Sequence, residues 1–181
     1  MARKPIPTPP VPKISPIRQL KEVKKLSENE LLLRTLIAEA EGEGTLGMAL
    51  VARAILNRKE IIDSGTPVGK FNAKDKTIKG ILLGDGQFQP VTGDYRVTEK
   101  ITNAQKEKAK EALELAKNPR LLENALNETN LSNDEIKTYL NVTGFRTENA
   151  PADISQTVNN IKFKNHIFNT AGNKKRDLIE L

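Results

Sequence analysis

The chain has 181 residues, of which 37% are hydrophobic and 4% aromatic, and it contains no cysteine. This length fits one globular domain with an appendage, and the lack of cysteine excludes disulfide scaffolds, thiolate zinc sites and cysteine nucleophiles. The net charge of +6 would suit a nucleic-acid-binding protein, but residues 1–25 hold seven basic residues and one acid, so the rest of the chain is formally neutral and is not expected to bind nucleic acid.

The N-terminal segment differs in composition from the rest of the chain. Residues 1–16 hold six of the ten prolines, which predicts an extended, polyproline-II-like segment. A disordered linker has the same composition, but we expect residues 1–26 to be a basic docking arm, with a short amphipathic helix at 17–26. No apolar run is long enough to span a bilayer, and no apolar stretch follows the basic N-terminus. We therefore expect neither a membrane segment nor a secretory signal.

The rest of the chain predicts a mainly α (α+β) fold. A capping box at Ser27 and Glu30 opens a helix that ends near Gly42 and Gly44. Further helices are predicted at Thr45–Ile62, Thr77–Leu83, Thr102–Lys117, Pro119–Leu126 and Ser132–Leu140. Capping boxes are expected at Thr102 with Gln105 and at Ser132 with Glu135. A small β element is expected from residue 142 onward, with strands at Val158–Phe163 and His166–Asn169.

Glu39 lies where the sequence favours an acid with an unusual proton affinity. Helical geometry places it at the edge of the apolar face formed by Leu32, Leu36 and Ala40, near the end of the first long helix. Burial and the negative end of the helix dipole would both raise the pKa of its carboxyl. A general acid needs such a pKa near neutral pH. The alternative is an ordinary acid on a solvated helix flank.

Four segments in order resemble the motifs of the SleB-type cell wall hydrolase family, the relatives of spore-cortex-lytic enzymes. Residues Ala38–Glu43 are similar to its A-E-A-x-G-E signature, and Ala52–Arg58 to its V-x-x-V-x-x-N-R helix. Gly86–Phe88 is similar to G-Q-F-S, with Gln89 in place of Ser. Lys164–Phe168 is similar to G-N-H-x-F, with Lys164 in place of Gly. The resemblance runs from about residue 31 to residue 168.

The resemblance implies a lysozyme-like or lytic-transglycosylase-like domain at residues 27–172, followed by a short tail at 173–181. It implies cleavage of the β-1,4 bond between N-acetylmuramic acid and N-acetylglucosamine in peptidoglycan, with Glu39 as the catalytic acid. The motif supplies no second carboxylate, which favours a lytic transglycosylase over a hydrolase. For a hydrolase, Asp85 and Asp94 are the candidate second acids. Glu41 replaces the family's usual Arg and is expected to raise the pKa of Glu39 further.

The candidate substrate-binding residues follow from the same resemblance. They are Gln87, Phe88, Tyr139, Thr143, Asn165 and His166, with Tyr95 and Arg146 as further cleft residues. Phe88 fits a core position equally well, and a lone histidine is more often structural. Since His166 is the only histidine, no multi-histidine metal site is possible, and we expect neither a metal nor a cofactor.

Delivery to the cell wall requires an explanation in a chain without a signal sequence. We expect a bacteriophage enzyme, associated with the virion through residues 1–25 bound to an acidic protein of the tail or baseplate. A free endolysin released through a holin is the alternative for delivery. The alternative for function is a non-catalytic structural component built on a degenerate hydrolase domain.

Overall fold

Seven α-helices and a three-stranded antiparallel sheet form the part of the chain that the computed structural model describes, residues 15–147 and 157–171. The expected mainly α architecture with a small β element is confirmed. The helices are α1 (Pro16–Lys25), α2 (Glu28–Ala40), α3 (Gly44–Asp63), α4 (Ile78–Leu82), α5 (Asn103–Lys117), α6 (Pro119–Asn127) and α7 (Asn133–Leu140). The strands are β1 (Gly144–Thr147), β2 (Thr157–Phe163) and β3 (His166–Ala171).

Helix α3 lies at the centre of the core. It packs against α2, α4, α5, α7 and β1, and its buried residues surround the helix instead of forming one stripe, as expected for a fully enclosed helix. The residues predicted for the apolar face of α2, which are Leu32, Leu36 and Ala40, are buried. Three polar side chains of α3, those of Arg53, Asn57 and Arg58, are also buried and therefore need internal partners.

The helix starts follow the predicted capping chemistry, with one exception. Complete capping boxes are present at Thr102 and Ser132. Ser27 accepts a hydrogen bond from the Glu30 amide at 3.2 Å, but the Glu30 side chain does not return one. Its carboxylate instead binds Arg34 at 2.8 Å and Lys106 at 2.6 Å, because two cations attract a carboxylate more strongly than one neutral amide does.

The region between α3 and α5 is built mainly from short turns, as its glycines and prolines predict. Around α4 lie 3-10 turns at Val68–Phe71 and Arg96–Thr98 and a π-helical turn at Gln89–Gly93. The last two pack against α2. This places residues 89–98 beside the end of the helix that holds Glu39.

The sheet has the order β1-β3-β2, with β3 antiparallel to both neighbours. Strands β2 and β3 form a hairpin, in which Phe163 pairs with His166 across a two-residue turn at Lys164 and Asn165. The sequence predicted these two strands. The expected β element from residue 142 onward also includes β1, but the sequence did not give the bounds of this strand, whose four residues pair with β3.

Helix α1 belongs to the packed part of the molecule. Val23 is fully buried in the core, and Lys79 donates hydrogen bonds to the carbonyl oxygens of Lys24 at 2.8 Å and Leu26 at 2.7 Å. The packed region therefore starts before the boundary expected at residue 26. Residues 1–14 of the predicted arm and the predicted tail at 173–181 lie outside the described residues. None of the described helices has the length and apolar character of a membrane span.

Candidate functional site

Glu39 lies in the last turn of α2, with its side chain partly buried. Burial raises the pKa of its carboxyl to about 7, while the charge of Arg96 lowers it and the charge of Asp94 raises it to lesser extents. No described residue donates a hydrogen bond to this carboxyl. A carboxyl in this environment can hold a proton near neutral pH and release it to a nearby acceptor, as a general acid does.

Asp94 and Arg96 form a polar pair beside Glu39. Arg96 donates to the Asp94 carboxylate through its Nε at 2.9 Å and through its backbone amide at 3.2 Å. Its Nη1 donates to the carbonyl oxygen of Ala38 at 2.9 Å, which fixes the loop to the helix turn that holds Glu39. Tyr95, between the pair, has a left-handed backbone with a φ of 61°. Such a conformation in a non-glycine residue is uncommon and is often found at functional sites.

The other two acids considered from the sequence lie in different surroundings. Asp85 is exposed and forms an ion pair with Lys74. Glu41 is exposed and accepts a hydrogen bond from Gln105 at 2.9 Å. The acid that raises the pKa of Glu39 is Asp94, so the contribution expected from Glu41 is not found.

Glu43 and His166 form a buried pair that the sequence analysis did not identify. The Glu43 carboxylate Oε1 contacts the His166 Nδ1, and the two residues are only 5% and 4% exposed. The second carboxylate oxygen, Oε2, has no hydrogen-bond partner among the described residues. The pair joins the turn after Glu39 to the first residue of β3, across 123 positions of the sequence.

Arg58 links three segments of the core. Its Nε donates to the Thr143 carbonyl oxygen, and its Nη1 donates to the Gln87 Oε1 at 3.0 Å. The guanidinium lies 5.6 Å from the Phe71 ring centre and 5.4 Å from that of Phe88, within the range of a cation–π contact. Burial lowers the pKa of Arg58 to about 10, so the group remains charged at neutral pH.

The four motif segments that carry the family resemblance make contact in two pairs, and a residue outside the segments bridges the pairs. The first joins the fourth through Glu43 and His166. The second joins the third through Arg58, which contacts Gln87 and Phe88. Phe145 connects these pairs, because its ring lies 6.0 Å from that of Phe88 and 5.7 Å from that of His166. Segments spread over 130 positions thus form one contact network, which the sequence alone could not show.

The predicted substrate-binding residues divide into accessible and buried groups. Asn165 is exposed and Gln87 is partly buried. Because an arginine only donates, Arg58 holds the oxygen of the Gln87 amide and leaves its NH₂ group for another partner. Thr143 is 5% exposed, and its backbone bonds to Arg58 and Asn169.

Phe88 and Tyr139 are fully buried. The structure thus favours the core position that the sequence left open for Phe88. Tyr139 donates its hydroxyl to the Lys162 carbonyl oxygen at 2.9 Å and so connects α7 to β2. The His166 ring is also enclosed. In this conformation all three side chains contact protein and have almost no surface to offer a substrate.

Two further observations concern a cavity away from Glu39 and the lack of a metal-binding cluster in the described residues. A cavity of about 270 Å³ between α1, α2 and the 96–98 turn is lined by Arg18, Gln19, Glu22, Leu26, Arg34 and Thr98. It contains no predicted site residue. Within residues 15–147 and 157–171, no three His, Cys, Asp or Glu side chains come together in a way that could hold a metal ion.

The sequence matches no protein-family model, and it shows no significant similarity to a curated protein or to a solved structure. The resemblance to the cell wall hydrolase family therefore depends on the four motif segments alone.

Proposed function

We propose that this protein is a peptidoglycan glycosidase with a lysozyme-like fold, which cleaves the β-1,4 bond between N-acetylmuramic acid and N-acetylglucosamine with Glu39 as its acid and base. The observation that supports this most is the position of Glu39. It lies within the first of the four motif segments, which the Glu43–His166 contact joins to the fourth, and burial raises the pKa of its carboxyl to about 7. An acid of this kind is what glycosidic bond cleavage requires.

In the proposed reaction, Glu39 donates one proton and receives one back from the substrate. The protonated Glu39 gives its proton to the glycosidic oxygen as the bond from that oxygen to the anomeric carbon breaks. The 6-hydroxyl oxygen of the muramic residue then bonds to the anomeric carbon and gives its proton to the Glu39 carboxylate. The products are a 1,6-anhydromuramic end and a free N-acetylglucosamine hydroxyl, and no water is consumed. Turnover should fall as the pH rises above about 7, since Glu39 then loses its proton.

A single usable carboxyl favours this transglycosylase route over hydrolysis. Of the two candidate second acids, only Asp94 is close enough for its charge to act on Glu39. Arg96 occupies both oxygens of the Asp94 carboxylate, through its Nε at 2.9 Å and its backbone amide at 3.2 Å. If the enzyme is a hydrolase, Asp94 is the residue that would activate water.

The proposal extends to how the enzyme reaches its substrate. We assign residues 1–25 to binding of an acidic structural protein, such as a phage tail or baseplate component, because this segment contains all of the chain's excess positive charge. The described part of the segment agrees with a charged exterior, since the basic side chains of α1 at Lys21, Lys24 and Lys25 are exposed.

The test is mass spectrometry of the products released from purified peptidoglycan by the wild type and by Glu39→Gln. The matched control is Glu107→Gln, which removes an exposed glutamate of α5 paired only with Lys110. We expect anhydromuramic products from the wild type and the control, and none from Glu39→Gln.

Reducing-end muramic products would replace the transglycosylase with a hydrolase, and Asp94→Asn should then abolish them. If the folded wild type released no product, the non-catalytic structural component would become the better description. If Glu39→Gln were as active as the control, Glu39 could not be the catalytic acid.

A further inference from the structure

We infer that Lys164 and His166 are positioning residues that clamp Glu43 and thereby hold the turn that follows Glu39. The β2–β3 hairpin would then set the geometry of the acid without touching the substrate through these two side chains. This inference rests on the proposed function of Glu39, but one of its tests does not require activity.

The side-chain half of the clamp is the buried contact between Glu43 and His166. His166 is the only hydrogen-bonding partner of the Glu43 carboxylate among the described residues. Space for the Glu43 side chain exists because residue 47 is a glycine. A Cβ atom at Gly47 would lie 2.5 Å from the Glu43 Cβ and 3.2 Å from its Oε2. Gly47, near the start of α3, therefore leaves the space that the Glu43 side chain needs to point towards the hairpin.

The backbone half of the clamp is made by Lys164. Its Nζ donates to the Glu43 carbonyl oxygen at 2.6 Å and lies 5.7 Å from the centre of the Phe163 ring. Lys164 has a left-handed backbone with a φ of 48°, a conformation that glycine adopts without steric strain. A lysine thus occupies a position where glycine would be easier to accommodate, and the contact with Glu43 gives it a role that glycine lacks.

The clamp is linked to Glu39 through a short, fixed piece of backbone. Helix α2 ends at Ala40, and the 3-10 turn Glu41–Glu43 leads directly into α3. Glu41 is held by Gln105 and Glu43 by the hairpin, while Arg96 holds Ala38 on the other side of Glu39. Because no described residue bonds to the Glu39 carboxyl, its placement depends on the backbone that these contacts fix.

The decisive variant is Lys164→Gly, with Asn72→Gly as its control. Asn72 is an exposed residue that also has a left-handed backbone, with a φ of 51°, and lies outside the motif segments. Both changes place glycine at a left-handed position that it adopts without strain, and Lys164→Gly also removes the hydrogen bond from Lys164 to the Glu43 carbonyl oxygen. Thermal melts of both variants therefore accompany the kinetics, so that a loss of folded protein is separated from a loss of positioning. Only Lys164→Gly removes the clamp, so we expect kcat on peptidoglycan to fall roughly 10- to 100-fold with KM nearly unchanged.

A second pair of variants tests the buried contact. His166→Gln retains a donor for Glu43 and should keep most of the activity, whereas His166→Ala leaves the buried carboxylate without a partner and should lose it. A purely structural role would instead make kcat follow the folded fraction in both variants. Thermal melts measured beside the kinetics decide between these outcomes.

The readout that does not depend on activity is the titration of Glu39 by carboxyl NMR. In the wild type and in Asn72→Gly its pKa should be about 7. In Lys164→Gly it should move towards the ordinary value for a glutamate, as the released turn exposes the carboxyl. If the wild type were inactive but Lys164→Gly still lowered the pKa of Glu39, the proposed function would be overturned and the clamp would not. An active wild type whose kcat and Glu39 titration are unaffected by Lys164→Gly would overturn the clamp alone.

Discussion

At the scale of single residues, Glu39 and Arg58 represent two opposite ways of burying an ionisable group. Arg58 is enclosed by two rings and donates to Gln87 and Thr143, so its charge is retained and orders three segments. Glu39 is partly enclosed with no hydrogen-bond donor from the described residues. Its neutral form is therefore favoured, and the folded state is less stable whenever Glu39 must ionise.

This difference predicts how Glu39→Gln affects stability as a function of pH. Because folding raises the pKa of Glu39 from 4.5 to about 7, the folded state binds more protons than the unfolded state between these values. The free energy of unfolding of the wild type should therefore decrease as the pH rises through this range and level off above it. Glutamine resembles the protonated acid, so Glu39→Gln should be more stable than the wild type by up to about 3 kcal/mol at pH 8 and nearly equal to it at pH 4.

Urea denaturation of both proteins at pH 4, 6 and 8 measures this difference, with Glu107→Gln as the control expected to show none of it. A constant difference at all three pH values would mean that Glu39 does not have a raised pKa. The same property that makes Glu39 a suitable acid would then be missing, so this experiment also bears on the proposed chemistry.

At the scale of elements, local signals predicted the helices, but contacts distant in sequence determined the rest. The capping boxes at Thr102 and Ser132 lie within four residues of sequence, so their chemistry could be identified directly. β1 exists only through its pairing with β3. Glu30 was expected to cap its own helix, but its carboxylate binds Lys106, 76 positions away.

In the short helix α4, we expect a steric clash to outweigh the helix propensity gained when glycine is replaced by alanine. Alanine is usually more stable than glycine inside a helix, by about 1 kcal/mol. At Gly80, however, a Cβ atom would lie 2.1 Å from the Asp75 Oδ1 and 2.7 Å from the Asp75 amide nitrogen. Gly80→Ala should therefore lower the free energy of unfolding, by about 1–3 kcal/mol.

Gly69→Ala is the control for Gly80→Ala, because nothing lies within 4 Å of a Cβ atom at Gly69. This variant should be neutral or slightly stabilising. The comparison is made by thermal unfolding of the two variants beside the wild type. Equal stability of Gly80→Ala and Gly69→Ala would show that the Asp75 turn can move aside without loss.

At the scale of the whole molecule, the sequence places the excess positive charge in residues 1–25. It does not show which surface the described part of this segment, helix α1, packs against. Helix α1 buries Val23 in the core and receives two hydrogen bonds from Lys79. The amphipathic pattern of residues 17–26 predicted a helix, but it could not show which surface the helix covers.

Two truncations separate the proposed docking role from the folding role of this segment. Deleting residues 1–14 should weaken binding to an acidic structural partner, because it removes the positive charges of Arg3, Lys4 and Lys13. Deleting residues 1–25 should also lower the free energy of unfolding, by roughly 1.5–3 kcal/mol, because it removes the buried Val23. Unfolding curves and incorporation into virions measure the two effects, and unchanged incorporation in both truncations would exclude the docking role.

The candidate site was predictable where one residue has an unusual local setting and unpredictable where two segments meet. The raised pKa of Glu39 could be expected from its place at the edge of an apolar helix face, whereas its assignment as a catalytic acid comes from the motif resemblance. Glu43 belongs to the same motif, but its role depends on His166, which lies 123 positions further along the chain. Asp94 was separated from Asp85 only by the structure, since both acids flank the same motif and differ in what they approach.

The aromatic content of the chain gives it a built-in optical probe. It contains two tyrosines and no tryptophan, so excitation at wavelengths that phenylalanine does not absorb gives fluorescence from Tyr95 and Tyr139 alone. Tyr95 lies between Asp94 and Arg96, beside the proposed acid, and Tyr139 makes edge-on contacts with the Phe163 and Phe168 rings of the hairpin. In Tyr95→Phe, the tyrosine emission would come from Tyr139 and report the packing of the hairpin against α7. In Tyr139→Phe, it would come from Tyr95 and report ligand binding at the loop beside Glu39. Neither experiment needs an attached dye.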